Sequence, residues 1–155
     1  MTIAYSKEEI EDLVRKFNDR TLSHPEWTHH AHLIVAIWYL QKHSFYDAIC
    51  RLKSGIILLN DSQETKNTGE SGYHETITVF WITVIATYIK INSDFSIEQL
   101  VNGFLNSSLE NRYLSAEFYG SQNIMAQNFR AIYYEPQGKK IHEMTIKAIL
   151  DANKN

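Results

Sequence analysis

The stretch Trp27-Thr28-His29-His30-Ala31-His32-Leu33-Ile34-Val35-Ala36-Ile37-Trp38-Tyr39-Leu40 decides how the chain reads. From Leu33 to Leu40 it carries no charged residue, so a helix over Glu26 to Lys42 is apolar on every side. Such a helix suits only a central position. A second run of the same kind, Ile77 to Ala86, sits inside a helix expected over Tyr73 to Ile91. Its β-branched residues would suit a strand, but the run is longer than ordinary strands. Two helices without a polar face need others around them, and the expected architecture is an all-α bundle of about six to seven helices.

The flanking sequence supplies those others. Ser6-Lys7-Glu8-Glu9 reads as a capping box, followed at helical spacing by Ile10, Leu13, Val14 and Phe17. Asp19 to Pro25 is a turn, because Pro25 pushes His24 out of helical geometry. Ser44 and Asp47 cap a third helix that carries Ala48, Ile49, Leu52, Ile56, Ile57 and Leu59. Asn60 to Gly72 is polar and loop-like, long enough to be a flap over a site. Ser96-Ile97-Glu98-Gln99 caps a fifth helix through Leu105. Leu109 to Tyr119 and Ser121 to Tyr133 read as two helices broken at Gly120 and ending before Pro136. Ile141 to Ala152 is the last helix. No repeat or low-complexity tract divides residues 1–155, so one domain is expected.

Histidines mark the start of both apolar helices. His29, His30 and His32 open one, and Gly72-Tyr73-His74-Glu75-Thr76 opens the other. If the three middle helices run up, down, up, the two apolar helices are parallel and their starts share one end of the bundle. His29 and His32, three positions apart, would present β-carbons about 5–6 Å from each other on one face. With His74 they could form a three-His set that leaves coordination positions open for water and substrate. His30 points roughly 100° away and falls outside the set. Glu75 is placed in sequence to be the general base or a fourth ligand. Trp27, Tyr73, Trp38 and Trp81 could wall a pocket. Arg130, alone in the uncharged stretch Ile124 to Tyr134, would need Glu75, Glu117 or an acidic substrate group. His43 at the end of its helix reads as a dipole partner, and the lone Cys50 as buried and inert.

At Trp27-Thr28-His29-His30-Ala31-His32-Leu33 and Gly72-Tyr73-His74-Glu75-Thr76 the chain resembles a bacterial family of small α-helical proteins. That family carries Trp-x-His-x-x-His-Leu on one helix and Gly-Tyr-His-Glu-Thr on another. Phe118-Tyr119-Gly120-Ser121 and Glu135-Pro136 are similar to its later part, with Gly120 interrupting the first. The resemblance implies a shared all-α domain in which His29, His32, His74 and Glu75 belong together, and it supplies no reaction.

Composition narrows the classes. Hydrophobic residues make up 44% and charged residues 21%, which is globular usage. The net charge of −3, with Arg15-Lys16 and Lys139-Lys140 the only adjacent basic pairs, disfavours nucleic acid as a partner. Cys50 alone makes no disulfide or multi-Cys zinc site and fits a reducing compartment. The apolar runs fall short of a membrane span, and Met1 to Tyr5 lacks a signal-peptide pattern. The leading expectation is a cytoplasmic, metal-dependent enzyme, a hydrolase or an oxygenase, acting on a small polar or anionic molecule. A divalent ion (zinc, iron or copper) would sit on His29, His32 and His74, under a lid formed by Asn60 to Gly72. The alternatives are a metal-free module for a small ligand and a helical interaction protein with structural histidines.

Overall fold

The computed structural model describes residues 2–138 and 140–152. Met1, residues 153–155 and Lys139, one member of the second basic pair, lie outside the described residues. The described residues form eight α-helices and no strand: α1 (Lys7–Asp19), α2 (His29–Lys42), α3 (Phe45–Ser62), α4 (Glu75–Ile91), α5 (Ile97–Leu105), α6 (Leu114–Tyr119), α7 (Gln127–Ala131) and α8 (Ile141–Ala152). A single 3-10 turn, Ser108–Glu110, separates α5 from α6.

Local chemistry sets where these helices begin. Ser6 and Ser96 each form a complete capping box, with Glu9 and Gln99 reaching back to the cap amide. Thr28 accepts from the Ala31 amide and Ser44 from Asp47. Helix α2 therefore starts at His29 rather than Glu26. The Glu26 side chain instead folds back on Ser23, accepting from both its amide and its hydroxyl. Helix α4 starts at Glu75 rather than Tyr73, because the His74 ring itself caps it.

The two apolar helices occupy the centre. Leu33, Ile34, Val35, Ala36 and Ile37 are all buried, five in a row, which a helix with one dry face cannot do. Helix α2 packs on α1, α3, α4 and α5, while α4 packs on α2, α3, α7 and α8. Full burial of each Leu, Ile or Val contributes about 1.5–3 kcal/mol, so these two helices carry much of the driving force. They run parallel. At one end the His29 ring lies against Trp81, with centroids 5.1 Å apart. Beyond the other, Gln41 Nε2 donates to the Phe95 carbonyl just past the end of α4.

Parallel is not level, however. His29 opens α2, whereas its neighbour Trp81 is already well inside α4. His74 precedes Trp81 by seven residues, so at 1.5 Å per residue it stands about 10 Å further along the axis. This overhanging start of α4 is covered by the C-terminal third of the chain. Thr76, fully buried, donates to the Ile132 carbonyl and accepts from the Tyr134 amide.

Sequence and structure part company in that C-terminal third. Leu109 to Tyr119 is not one helix but the 3-10 turn and the short α6, interrupted where Asn111 Oδ1 accepts from the Tyr113 amide. Ser121 to Tyr133 is helical only over α7. Outside α7 its backbone makes isolated turns, and the Ile124 and Ile132 carbonyls accept from the His74 and Thr76 side chains. At the other end of the chain, two asparagines of α5 treat an extended segment as a strand edge. Asn102 accepts from the Tyr5 amide and donates to the Tyr5 carbonyl, and Asn106 does the same to Ile3.

One close approach fixes how α1 meets α3. The Phe17 ring rests on Gly55, where a β-carbon would stand 2.6 Å from Phe17 Cε1. Phe17 is buried and stacked on Trp27, with Tyr39 against it edge-on, so it cannot move aside. Alanine at 55 gains about 1 kcal/mol in helix propensity and loses about 1–3 kcal/mol to overpacking. Gly55→Ala is expected to destabilise the fold on balance, read as a lower urea midpoint at unchanged m-value. A midpoint raised by the full propensity gain would show that this contact is loose.

Candidate functional site

A cavity of about 370 Å³ lies between α2, α3 and α4. Helix α2 contributes His29, His32, Leu33 and Ala36 to its wall, and α3 contributes Leu52 and Ile56. Helix α4 adds Ile77, Thr78, Trp81, Ile82 and Ile85. Leu33, Leu52, Ile82 and Ile85 are buried and form the floor. Trp27, His29, His32 and Trp81 keep some surface at the rim, where Arg112 is exposed. The helical spacing explains the wall: positions 29, 32, 33 and 36 share one face of α2, as 78, 81, 82 and 85 do on α4.

Hydrogen bonds orient the two rim imidazoles. His29 Nε2 stands 2.8 Å from the Glu110 carbonyl, which can only accept, so this nitrogen carries the proton. His32 Nδ1 is likewise the donor to the Thr28 carbonyl at 2.7 Å. That leaves lone pairs on His29 Nδ1 and His32 Nε2. The His32 ring stacks on Trp27 with centroids 3.8 Å apart. Burial pushes the His29 ring below its ordinary value of 6.5, against the opposing pull of the Glu110 carbonyl. Burial also lowers His32, to about 4, with a small further push from His29. Although the His32 ring keeps some accessible surface, that surface faces the cavity, and packed protein surrounds the rest. Both rings are neutral at physiological pH.

His74 is not brought to this cavity. Its Nε2–H donates to the Ile124 carbonyl at 2.9 Å, and its Nδ1 accepts from the Ile77 amide at 3.2 Å. Both ring nitrogens are occupied, and the ring serves as the N-cap of α4. The three-His set expected from sequence does not form, because the offset between α2 and α4 carries His74 past the level of His29. Among the described residues no group of three or more His, Cys, Asp and Glu is placed to hold a metal ion.

Glu75 also points elsewhere. Its carboxylate takes Lys53 Nζ on one oxygen and the Tyr73 hydroxyl on the other, away from the cavity wall. Burial and this carboxylate push the Tyr73 phenol up. Among the aromatic residues expected to wall a pocket, Trp27 and Trp81 line the cavity, whereas Tyr73 and Trp38 do not. Trp38 packs edge-on against Tyr39 and His43. Arg130 meets neither Glu75 nor Glu117. Its terminal nitrogens donate to the carbonyls of Glu70, Gly72 and Tyr73, leaving its buried Nε without a partner. It thereby pins the connection from α3 to α4, which is held to the body and does not cover the cavity. Cys50 is exposed on α3 rather than buried.

The residues that sequence reasoning missed lie just past α5. The Glu110 carbonyl receives His29, and the Glu110 carboxylate lies 3.2 Å from His30 Nε2. Two adjacent histidines thus hold the 3-10 turn over the start of α2, and the turn brings Arg112 to the rim. His30, set aside because it points away from its neighbours, reaches the same residue as His29 from the other side. No family model, curated protein or solved structure matches the chain, so the site is read from its own geometry.

The lowered histidines give stability a definite pH dependence. His29, His32 and His74 are all held below 6.5 by burial, so the unfolded chain takes up protons that the folded chain refuses. Their contribution is complete above about pH 6.5 and is lost as pH falls through that value, the window for His32 reaching down to about 4. Urea midpoints are expected to fall between pH 7.5 and pH 5. In His74→Asn, which keeps a side-chain oxygen for the cap, the slope should be shallower by on the order of one proton. Midpoints that rise on acidification would contradict the burial of these rings.

Proposed function

We propose that the protein is a binding module for a small, largely apolar molecule, which it takes into the cavity between α2, α3 and α4. The observation that carries this reading is the composition of the wall: a buried aliphatic floor beneath two neutral imidazoles and one guanidinium. Pockets of about 300–1,000 Å³ with apolar walls and a few fixed polar groups are the usual form of small-molecule sites. Fixing matters here because each imidazole is locked by a backbone carbonyl, which sets its tautomer before any ligand arrives.

A second reading retains the metal. His29 Nδ1 and His32 Nε2 bear lone pairs that no protein donor uses. A divalent ion held by both would draw its remaining ligands from substrate or water, giving the metal-dependent enzyme first expected from the histidine spacing. His74 has no part in either reading, since the cap of α4 takes its Nδ1 and the Ile124 carbonyl takes its Nε2–H.

The two readings separate in one experiment. Trp27 and Trp81 line the cavity, so tryptophan emission reports its occupation. Titration with 1-octanol is expected to change that emission saturably in metal-free protein. Ala36→Phe, which fills the cavity from the α2 side, should abolish the change while leaving the circular dichroism spectrum helical. Cobalt(II) is expected to leave the visible spectrum of the aquo ion unaltered. A tetrahedral cobalt band that disappears in His29→Ala and in His32→Ala would favour the metal reading. No response to octanol, with or without cobalt, would remove the binding reading.

A further inference from the structure

The cavity's charge pattern says more about its ligand than its volume does. We infer that the cavity takes an amphipathic carboxylic acid, with the carboxylate on the Arg112 guanidinium at the rim and an aliphatic body on the floor formed by Leu33, Ile82 and Ile85. This rests on the reading of the cavity as a small-molecule site. Arg112 is the one formally charged side chain on the wall, which contains no Asp or Glu. Among the described residues the guanidinium has no carboxylate partner; its recorded contact is the face of Tyr113, 5.5 Å from the ring centroid. The nearby acid, Glu110, directs its carboxylate to His30 Nε2 at 3.2 Å.

A guanidinium presents paired N–H donors that match the two oxygens of a carboxylate. The neighbouring imidazoles are neutral and leave its charge as the only one on the wall. One uncompensated cation matches a singly charged head rather than a dianion. The length of the site also bears on the ligand. His29 and Ala36, both on the wall, are seven residues apart on α2, so the wall runs about 10 Å along that helix, roughly the span of an extended eight-carbon chain. The carbonyl of Glu110, clamped by His29, holds the backbone that leads to Arg112 beside the rim.

Octanoate, 1-octanol and octylamine share a tail and differ in the head, so their affinities at pH 7.5 isolate the head's contribution. Tryptophan emission and calorimetry are expected to rank octanoate about fivefold tighter than octanol, the scale of an exposed ion pair, with octylamine weakest. Arg112→Gln should bring octanoate down to within about twofold of octanol and leave octanol itself unchanged. Added sodium chloride should weaken octanoate in the native protein but not in the variant. Equal affinities for octanoate and octanol in the native protein, or a gap that survives Arg112→Gln, would overturn the carboxylate assignment while leaving the cavity reading intact. If none of the three probes binds, or if Ala36→Phe leaves them all binding, it is the cavity reading that fails.

Discussion

Everything in this molecule depends on how far α4 is displaced along α2. Both helices are apolar around their circumference, so burying them demands that each be surrounded, and the cheapest first neighbour for each is the other. Their parallel packing puts both starts at one end of the bundle, but the displacement leaves the start of α4 projecting beyond that of α2. The projection exposes a turn of helix that needs cover. Residues from Ile124 to Tyr134 provide it by bonding to His74 and Thr76 through the backbone groups of Ile124, Ile132 and Tyr134. The same displacement brings the middle of α4, with Trp81 and Ile82, opposite the start of α2, and the cavity lies between them and α3.

The fold was legible wherever burial repeats with a period. Leu33 to Leu40 and Ile77 to Ala86 announced central helices because nothing charged interrupts them, and Ser6, Ser44 and Ser96 announced helix starts because their hydroxyls stand three residues before the amide they cap. The C-terminal third was not legible in the same way. Between Ser121 and Tyr133 the residues have adequate helix propensity, yet the backbone groups of Ile124, Ile132 and Tyr134 find partners on α4. A contact some fifty residues distant in sequence thus overrides a local preference, and the local pattern holds no trace of it.

For the site, direction was legible and level was not. The pairing of His29 with His32 on one helix face follows from three-residue spacing, and both rings line the cavity. The position of His74 depends on the stagger between two helices, a quantity set by side-chain packing along their whole length. Residue type misleads in a second way. An imidazole has two nitrogens, and its role is decided by how many of them the backbone has already taken. One carbonyl leaves His29 and His32 a lone pair each, whereas a carbonyl and an amide leave His74 none. Glu75 and Arg130 follow the same logic. Glu75 is taken by Lys53 and Tyr73, and the terminal nitrogens of Arg130 by carbonyls some sixty residues away in sequence, so neither is left for the cavity.

The asparagine pair on α5 has a mechanical consequence. Four residues of helix advance about 6 Å, and two residues of extended chain about 6.6 Å, so Asn102 and Asn106 stand almost in register with Tyr5 and Ile3. The result is a two-rung zipper in which every bond engages backbone, indifferent to the side chains it joins. A pull on the chain at residue 2 that peels it from α5 would load the Ile3 rung before the Tyr5 rung, so the two would yield in sequence. Only when both have opened would the force reach Ser6 and the first turn of α1. The leading segment thus works as a strain relief, absorbing small tugs at the surface before they are passed to the helix whose Phe17 is wedged against Gly55.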